Sequence, residues 1–270
     1  MNLPGLRHAC SLALLLGLVA PASAVPFLPQ LGGIYRNGDG ANSSWVQVTN
    51  DWRGSLQGSQ SWGTGIWGLA DQAQVMSLTE GNPYVVQTLS ARVDQVNFAN
   101  QRFIDTWGAS WGSPGLAPIF DNHAGETQDN WASRFWGYIA ITSPGAYNFG
   151  VLYDDGFRFS LFGANGLSQS IQVDGLNPRD RLGFSQDLML LPGLYGFQLD
   201  AYDRLEAGVV QLAWSTPGTS NWGVVPTAHL FTSPSTTPLS HAPAAAIPEP
   251  TVPMLMLAGL AAIGLSRRLS

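Results

Sequence analysis

Lysine is absent from the chain, so all twelve basic residues are arginine. That excludes Schiff-base lysine chemistry and a P-loop lysine. Charge is scarce altogether: Asp, Glu, Lys and Arg make up 11% of the 270 residues, and the formal net charge is −6. A nucleic-acid binder would need a basic patch to neutralise phosphates, and this composition does not supply one. The single cysteine, Cys10, lies before an apolar run near the N-terminus. Four histidines are widely spaced, with no His-Glu-x-x-His and no Gly-x-Ser-x-Gly motif. What the chain has is 10 Trp, 7 Tyr and 12 Phe, with 31 Gly and 18 Pro between them. Abundant core material interrupted by turn formers points to one fairly large all-β domain rather than a disordered chain.

The two ends read as processing segments. Residues 1–24 carry a weak basic start (Arg7, His8), a short apolar run from Ser11 to Ala20 and the small-residue pattern Ala22-Ser23-Ala24. This is the pattern of a signal peptide cut by signal peptidase, and the run is too short to cross a bilayer, which takes about 20 residues. Cleavage would remove Cys10 and leave a domain without disulfides or thiol chemistry. At the other end, residues 232–247 form a Pro/Ser/Thr/Ala linker. Pro248-Glu249-Pro250 follows, then an apolar run from Thr251 to Leu265, then Arg267 and Arg268. As a helix that run would reach only about 22 Å, a short tail anchor with its arginines on the cytoplasmic side.

This order resembles the PEP-CTERM sorting signal of Gram-negative bacteria. The resemblance implies an exosortase as processing partner, a transient inner-membrane intermediate, and delivery to the cell surface or extracellular matrix. Taking Arg7, Glu249, Arg267 and Arg268 away with the ends leaves nine arginines against seventeen acids, a net charge of −8. An acidic exported domain suits cations better than anions.

Between the ends, turn signals recur every 8–12 residues, as expected of a sandwich. Arg134–Ala140 reads as a strand, turned by Ser143-Pro144-Gly145. Tyr147, Phe149, Val151 and Tyr153 then share one face by the period of two. Asp154-Asp155-Gly156 breaks the run, and Phe157, Phe159 and Leu161 resume it. Further strands are expected over Ser185–Leu191, through Tyr195, Phe197, Leu199 and Ala201, and through Val210, Leu212 and Trp214. The stretch Ile34–Gly81, with Trp45, Trp52, Trp62 and Trp67, is less legible: it is either a set of exposed aromatic platforms or core wrapping.

Gly137-Tyr138-Ile139-Ala140, the run Ser143–Phe149, the run Asp154–Phe159, Leu191-Pro192-Gly193 and Leu212–Ser215 together resemble a PA14 domain, most clearly over residues 91–218. The resemblance implies a jelly-roll-like β-sandwich over residues 25–231 and, as in many members of that family, carbohydrate binding. In its calcium-dependent lectins the pair equivalent to Asp154-Asp155 is joined by a cis peptide.

Adjacent strand residues point to opposite faces, so Asp154 and Asp155 can share a Ca²⁺ only where the backbone bends, which Gly156 permits. Ca²⁺ takes six to eight oxygens. Asn221, with Trp222 beside it as a sugar contact, is a candidate for completing the site, and Asp200 and Asp203 are weaker ones. Arg158 reads as a solvated strand position. Asp-Asp-Gly is also an ordinary turn sequence, whose carboxylates can satisfy local N–H groups.

Asp121, Glu126 and Asp129 cluster near His123 and could in principle act as a glycosidase acid and base, but loop acids are more often solvated. The sequence therefore points to a non-enzymatic surface or matrix module that binds extracellular polysaccharide with the help of Ca²⁺. A structural matrix protein without a small ligand is the alternative.

Overall fold

The computed structural model describes residues 25–54, 63–111, 115–119 and 128–234. The proposed leader, the linker from residue 235 onward, Pro248, Glu249 and Pro250, the apolar run Thr251–Leu265, Arg267 and Arg268, Trp62, and the acids Asp121 and Glu126 with His123 lie outside these residues. Fifteen strands and two short α-helices occur among those described. In chain order the first are β1 (Leu31–Gly32), β2 (Ala41–Val48), α1 (Leu69–Val75), β3 (Val85–Val93), β4 (Asn97–Ala99), α2 (Gln101–Trp107) and β5 (Ala117–Pro118). The long central strands follow: β6 (Trp131–Ile141), β7 (Gly145–Asp154), β8 (Gly156–Phe162), β9 (Ser168–Val173), β10 (Asp180–Gly183) and β11 (Leu188–Leu190). The last are β12 (Gly193–Asp203), β13 (Val209–Ser215), β14 (Gly223–Val224) and β15 (Leu230–Phe231).

Two sheets pack face to face, as the alternation of apolar residues requires. One runs β3-β2-β6-β12-β8-β9, with β1 on β12 and β15 on β6; the other runs β10-β7-β13-β4-β5, with β11 on β7 and β14 on β13. The expected face of β7, Tyr147 to Tyr153, meets Phe135, Phe157, Phe159 and Leu161 from the opposite sheet in one buried cluster. Val210, Leu212 and Trp214 complete its other side. The expected strand Ser185–Leu191 shortens to Leu188–Leu190.

Of the tryptophans in the tryptophan-rich stretch, Trp45 and Trp52 are core wrapping, and Trp67 is half-buried with the Arg204 guanidinium over its ring. Trp45 and Trp52 are buried, and Trp45 packs edge-on to Phe135 and Phe98. Helix α1 lies on the outer face of the first sheet and covers Val46, Val48, Ala132 and Tyr202. Among the described residues no helix is long and apolar enough to cross a membrane.

The sheets bring the ends of β7 and β12 together with the start of β8. Asp154 closes β7, Asp155 is the link, and Gly156 opens β8. Gly156 is held close: its Cα faces the Tyr202 phenol and the Val173 carbonyl so tightly that a Cβ would collide with both.

Candidate functional site

An open cavity of about 380 Å³ lies at this end of the sandwich, lined by Trp107, Asp154, Asp155, the loop from Leu176 to Arg179, and Leu205, Glu206 and Ala207. The peptide bond between Asp154 and Asp155 is cis. Helix α2 contributes Trp107; it starts at Asn100, whose side chain caps it by accepting from the Phe103 amide at 2.9 Å.

The two carboxylates have different partners. Asp155 Oδ2 accepts from the Arg204 amide at 2.8 Å. Asp154 Oδ2 faces Arg179 Nη1 at 3.8 Å, and the same guanidinium lies over the Trp107 ring, 3.7 Å from its centroid. Burial raises the Asp154 carboxyl to about 7; the Asp155 charge adds to this and Arg179 opposes it. Burial also raises Asp155 to about 6, against the Arg204 and Asn177 amides, which favour its charged form.

Behind the pair lies Asp203, at the end of β12 and fully buried. Neither of its carboxylate oxygens has a hydrogen-bond partner. Burial pushes its carboxyl well above the usual range, and the charges of Asp155, Asp154, Asp129 and Glu206 push it further. Asp203 faces the core side of its sheet, whereas Asp200, three residues earlier, faces outward. Asp200 is engaged by Arg134 Nε at 2.6 Å, by Arg158 at 3.4 Å and by Gln198 at 2.8 Å. Arg158 is therefore an ion-pair partner, not simply a solvated residue. Asp129 holds the loop after β12, accepting from the Glu206 amide at 3.1 Å.

The structure does not bring Asn221 and Trp222 to this cavity. The Trp222 ring lies on two glycines, Gly150 and Gly183, which are register partners between β7 and β10. Gly150 is four residues before Asp154, about 13 Å along the strand. The flat strip left by two missing side chains explains where the ring goes. Trp107 and Arg179 carry no local sequence signal. One lies on a seven-residue helix and the other on a loop 72 residues later.

The cavity presents two carboxylates, and a third with both oxygens orphaned is buried behind them; oxygen donors of this kind are what hard cations take. Among the described residues no three His, Cys, Asp or Glu side chains close as a metal-ligand group. The remaining donors would have to be carbonyl oxygens, water or a ligand's hydroxyls.

No known family profile matches the chain, and no curated protein matches it. Solved structures do. The PA14 domain of the MpAFP antifreeze protein aligns with a TM-score of 0.47 at 15% identity, over 74% of this chain and 94% of that one. The A domain of epithelial adhesin 6 from Candida glabrata, solved with Galβ1-3GlcNAc, aligns with a TM-score of 0.47 at 16% identity, over 80% and 96%. A PA14 sugar-binding domain from an RTX adhesin aligns with a TM-score of 0.44 at 12% identity, over 73% and 99%.

Proposed function

We propose that the chain is an exported, non-enzymatic PA14-type module that binds carbohydrate at the Asp154–Asp155 cavity with the help of Ca²⁺. One observation carries this reading: the buried, unpartnered Asp203 carboxylate behind two cavity carboxylates. An ordinary turn satisfies its carboxylates with local N–H groups, and a buried charge without a partner is costly. Without a cation such a carboxyl is pushed toward its protonated form; a cation would displace the proton and supply the counter-charge instead. Asp154 and Asp155 would hold it from the cavity side, with Asp203 supplying negative charge from behind. When bound, Ca²⁺ offers open coordination positions to vicinal sugar hydroxyls. The exposed Leu176 and Leu205 at the rim would meet the apolar face of the ring.

The same reading takes the ends as addresses: a leader cut by signal peptidase, and a Pro248-Glu249-Pro250 tail with Arg267 and Arg268 recognised by an exosortase. The location would then be the cell surface or matrix of a Gram-negative bacterium, and the ligand an extracellular polysaccharide. Asp155, with its amide donors already in place, is what favours the second reading, a structural matrix protein.

Thermal unfolding in Ca²⁺, in Mg²⁺ and in chelator separates the two. A ligand at 100 times its Kd adds about 2.7 kcal/mol to the folded state. The expected result is a Ca²⁺-specific rise in the midpoint that Asp154→Ala/Asp155→Ala abolishes. An unchanged midpoint at millimolar Ca²⁺ would leave the structural reading.

A further inference from the structure

The outer face of the first sheet is covered at both ends and bare in the middle. At one end, α1 packs over Val46, Val48, Ala132 and Tyr202. At the other, Tyr35 and Phe231 pack on Ala140 and Leu194. Between these clusters, strand register aligns two rows of residues across six strands. One row reads Arg92, Asn42, Trp136, Gln198, Ser160, Ser170. At about 4.8 Å per strand the row is about 24 Å long. The next row places Arg134 and Arg158 on either side of Asp200.

An outward-facing sheet row is polar by default. Two features here go beyond that. Trp136 stands in the middle of its row with 39% of its surface exposed, although it belongs to a central strand. Asp200, on the solvent side, is nevertheless buried, and Arg134 and Arg158 lie over it with side chains 37% and 42% exposed. Gln72 of α1 and Gln198 also reach the Asp200 carboxylate. The result is a fixed pair of guanidinium groups beside an exposed indole. Arg92 at the end of the row gives this face three of the nine arginines in residues 25–246. One buried carboxylate offsets them in the strip, and Asp39, whose carboxylate is taken up by Thr232, lies near Arg92. The strip is cationic on a protein that is acidic overall.

We propose that this strip is a second binding surface, separate from the Asp154–Asp155 cavity, and that its occupant is an acidic polysaccharide. The sugar ring stacks on Trp136, uronate carboxylates meet Arg134 and Arg158, and hydroxyls meet Gln198, Ser160 and Asn42. Planar guanidinium groups match carboxylate geometry, and an aromatic face matches the apolar face of a pyranose. The surface needs no divalent cation, which distinguishes it from the cavity.

The test is retention of the full chain on immobilised polygalacturonate in excess chelator, with neutral dextran as control. Polygalacturonate should retain the protein, less so as salt rises, and dextran should not. Trp136→Ala should weaken retention about tenfold, the scale of losing one packed aromatic anchor. Ser170→Asp places like charge on an exposed floor position away from the Asp200 network, and should weaken retention sharply while leaving the thermal midpoint unchanged. Asp154→Ala/Asp155→Ala should retain normally, so failure of the calcium reading would not disturb this result. Absence of retention in chelator, or equal retention of wild type and both strip variants, overturns the proposal. So does a Trp136→Ala effect on sedimentation without one on retention, which would assign the face to a second copy. A spin label at Ser170→Cys, in a Cys10→Ser background, that is immobile before polymer is added would assign it to the chain's own segment after Pro234, and also overturns it.

Discussion

Arg179 lies over Trp107, its guanidinium carbon 3.7 Å from the ring centroid, and from that position faces Asp154 at 3.8 Å. The stack fixes a positive charge beside a carboxyl that burial has already raised to about 7. Arg179→Gln should therefore raise the Asp154 carboxyl further, and Trp107→Ala should do the same to a smaller degree by freeing the arginine. A carboxyl-carbon NMR titration measures both, and an unchanged Asp154 in Arg179→Gln would remove the ion pair from this account.

Stability should depend on pH in an unusual direction. Asp154 (about 7), Asp155 (about 6) and Asp203 all hold their protons more tightly in the folded chain than the ordinary 3.8 of an unfolded aspartate. Between those values the folded state binds more protons, so stability is full below pH 4 for these groups and falls as pH rises through 6 and 7. A tenfold change in proton affinity corresponds to about 1.4 kcal/mol, so the loss amounts to a few kcal/mol. In chelator the thermal midpoint should fall from pH 5 to pH 8. Ca²⁺ should flatten that fall, because an ion supplies what the protons supplied.

Asp203→Asn isolates the rear carboxylate. The amide in its place would carry no charge for the other acids to repel, so the midpoint should fall less steeply between pH 5 and 8 than in the wild type. The same substitution should reduce the Ca²⁺ response. Differential scanning calorimetry across that range, with and without chelator, gives both; a wild-type slope would mean that Asp203 does not titrate there.

Trp222→Ala should separate packing from binding. Its ring fills the strip over Gly150 and Gly183, so its removal should cost about 1–3 kcal/mol in chemical denaturation. Glycan retention in saturating Ca²⁺ should be unchanged, because the ring lies some way from Asp154 along β7. A loss of retention with normal stability would return Trp222 to the binding site.

The sequence showed the strands that alternate cleanly. In β6, β7, β8, β12 and β13 one side meets the core, so apolar residues recur every second position. β2 reads poorly because α1 covers its outward side at Val46 and Val48, which blurs the alternation, and β3 is largely exposed. Helices α1 and α2 have seven residues each, too few for a helical period to stand out. At the site, the adjacency of Asp154 and Asp155 was legible because neighbouring carboxylates followed by glycine are a local signal. Asp203 was only a weak candidate, since its role depends on where β12 ends relative to a turn 48 residues earlier. Asn221-Trp222 looked suitable by composition alone, while Gly150 and Gly183 offered the indole a better position.

β12 also has a consequence for the order of assembly. It is hydrogen-bonded along its length to β6 on one side and to β8 on the other, so it is the middle of its sheet although it comes late in the chain. β6 and β8 have no direct ladder and can be joined only through it. Until residue 203 has emerged, the strands before it have two open edges and no shared centre. A chain crossing a membrane N-terminus first would therefore stay unfolded, and threadable, for most of its passage. The candidate site, with Asp203 as the last residue of that strand, would be among the last features to form.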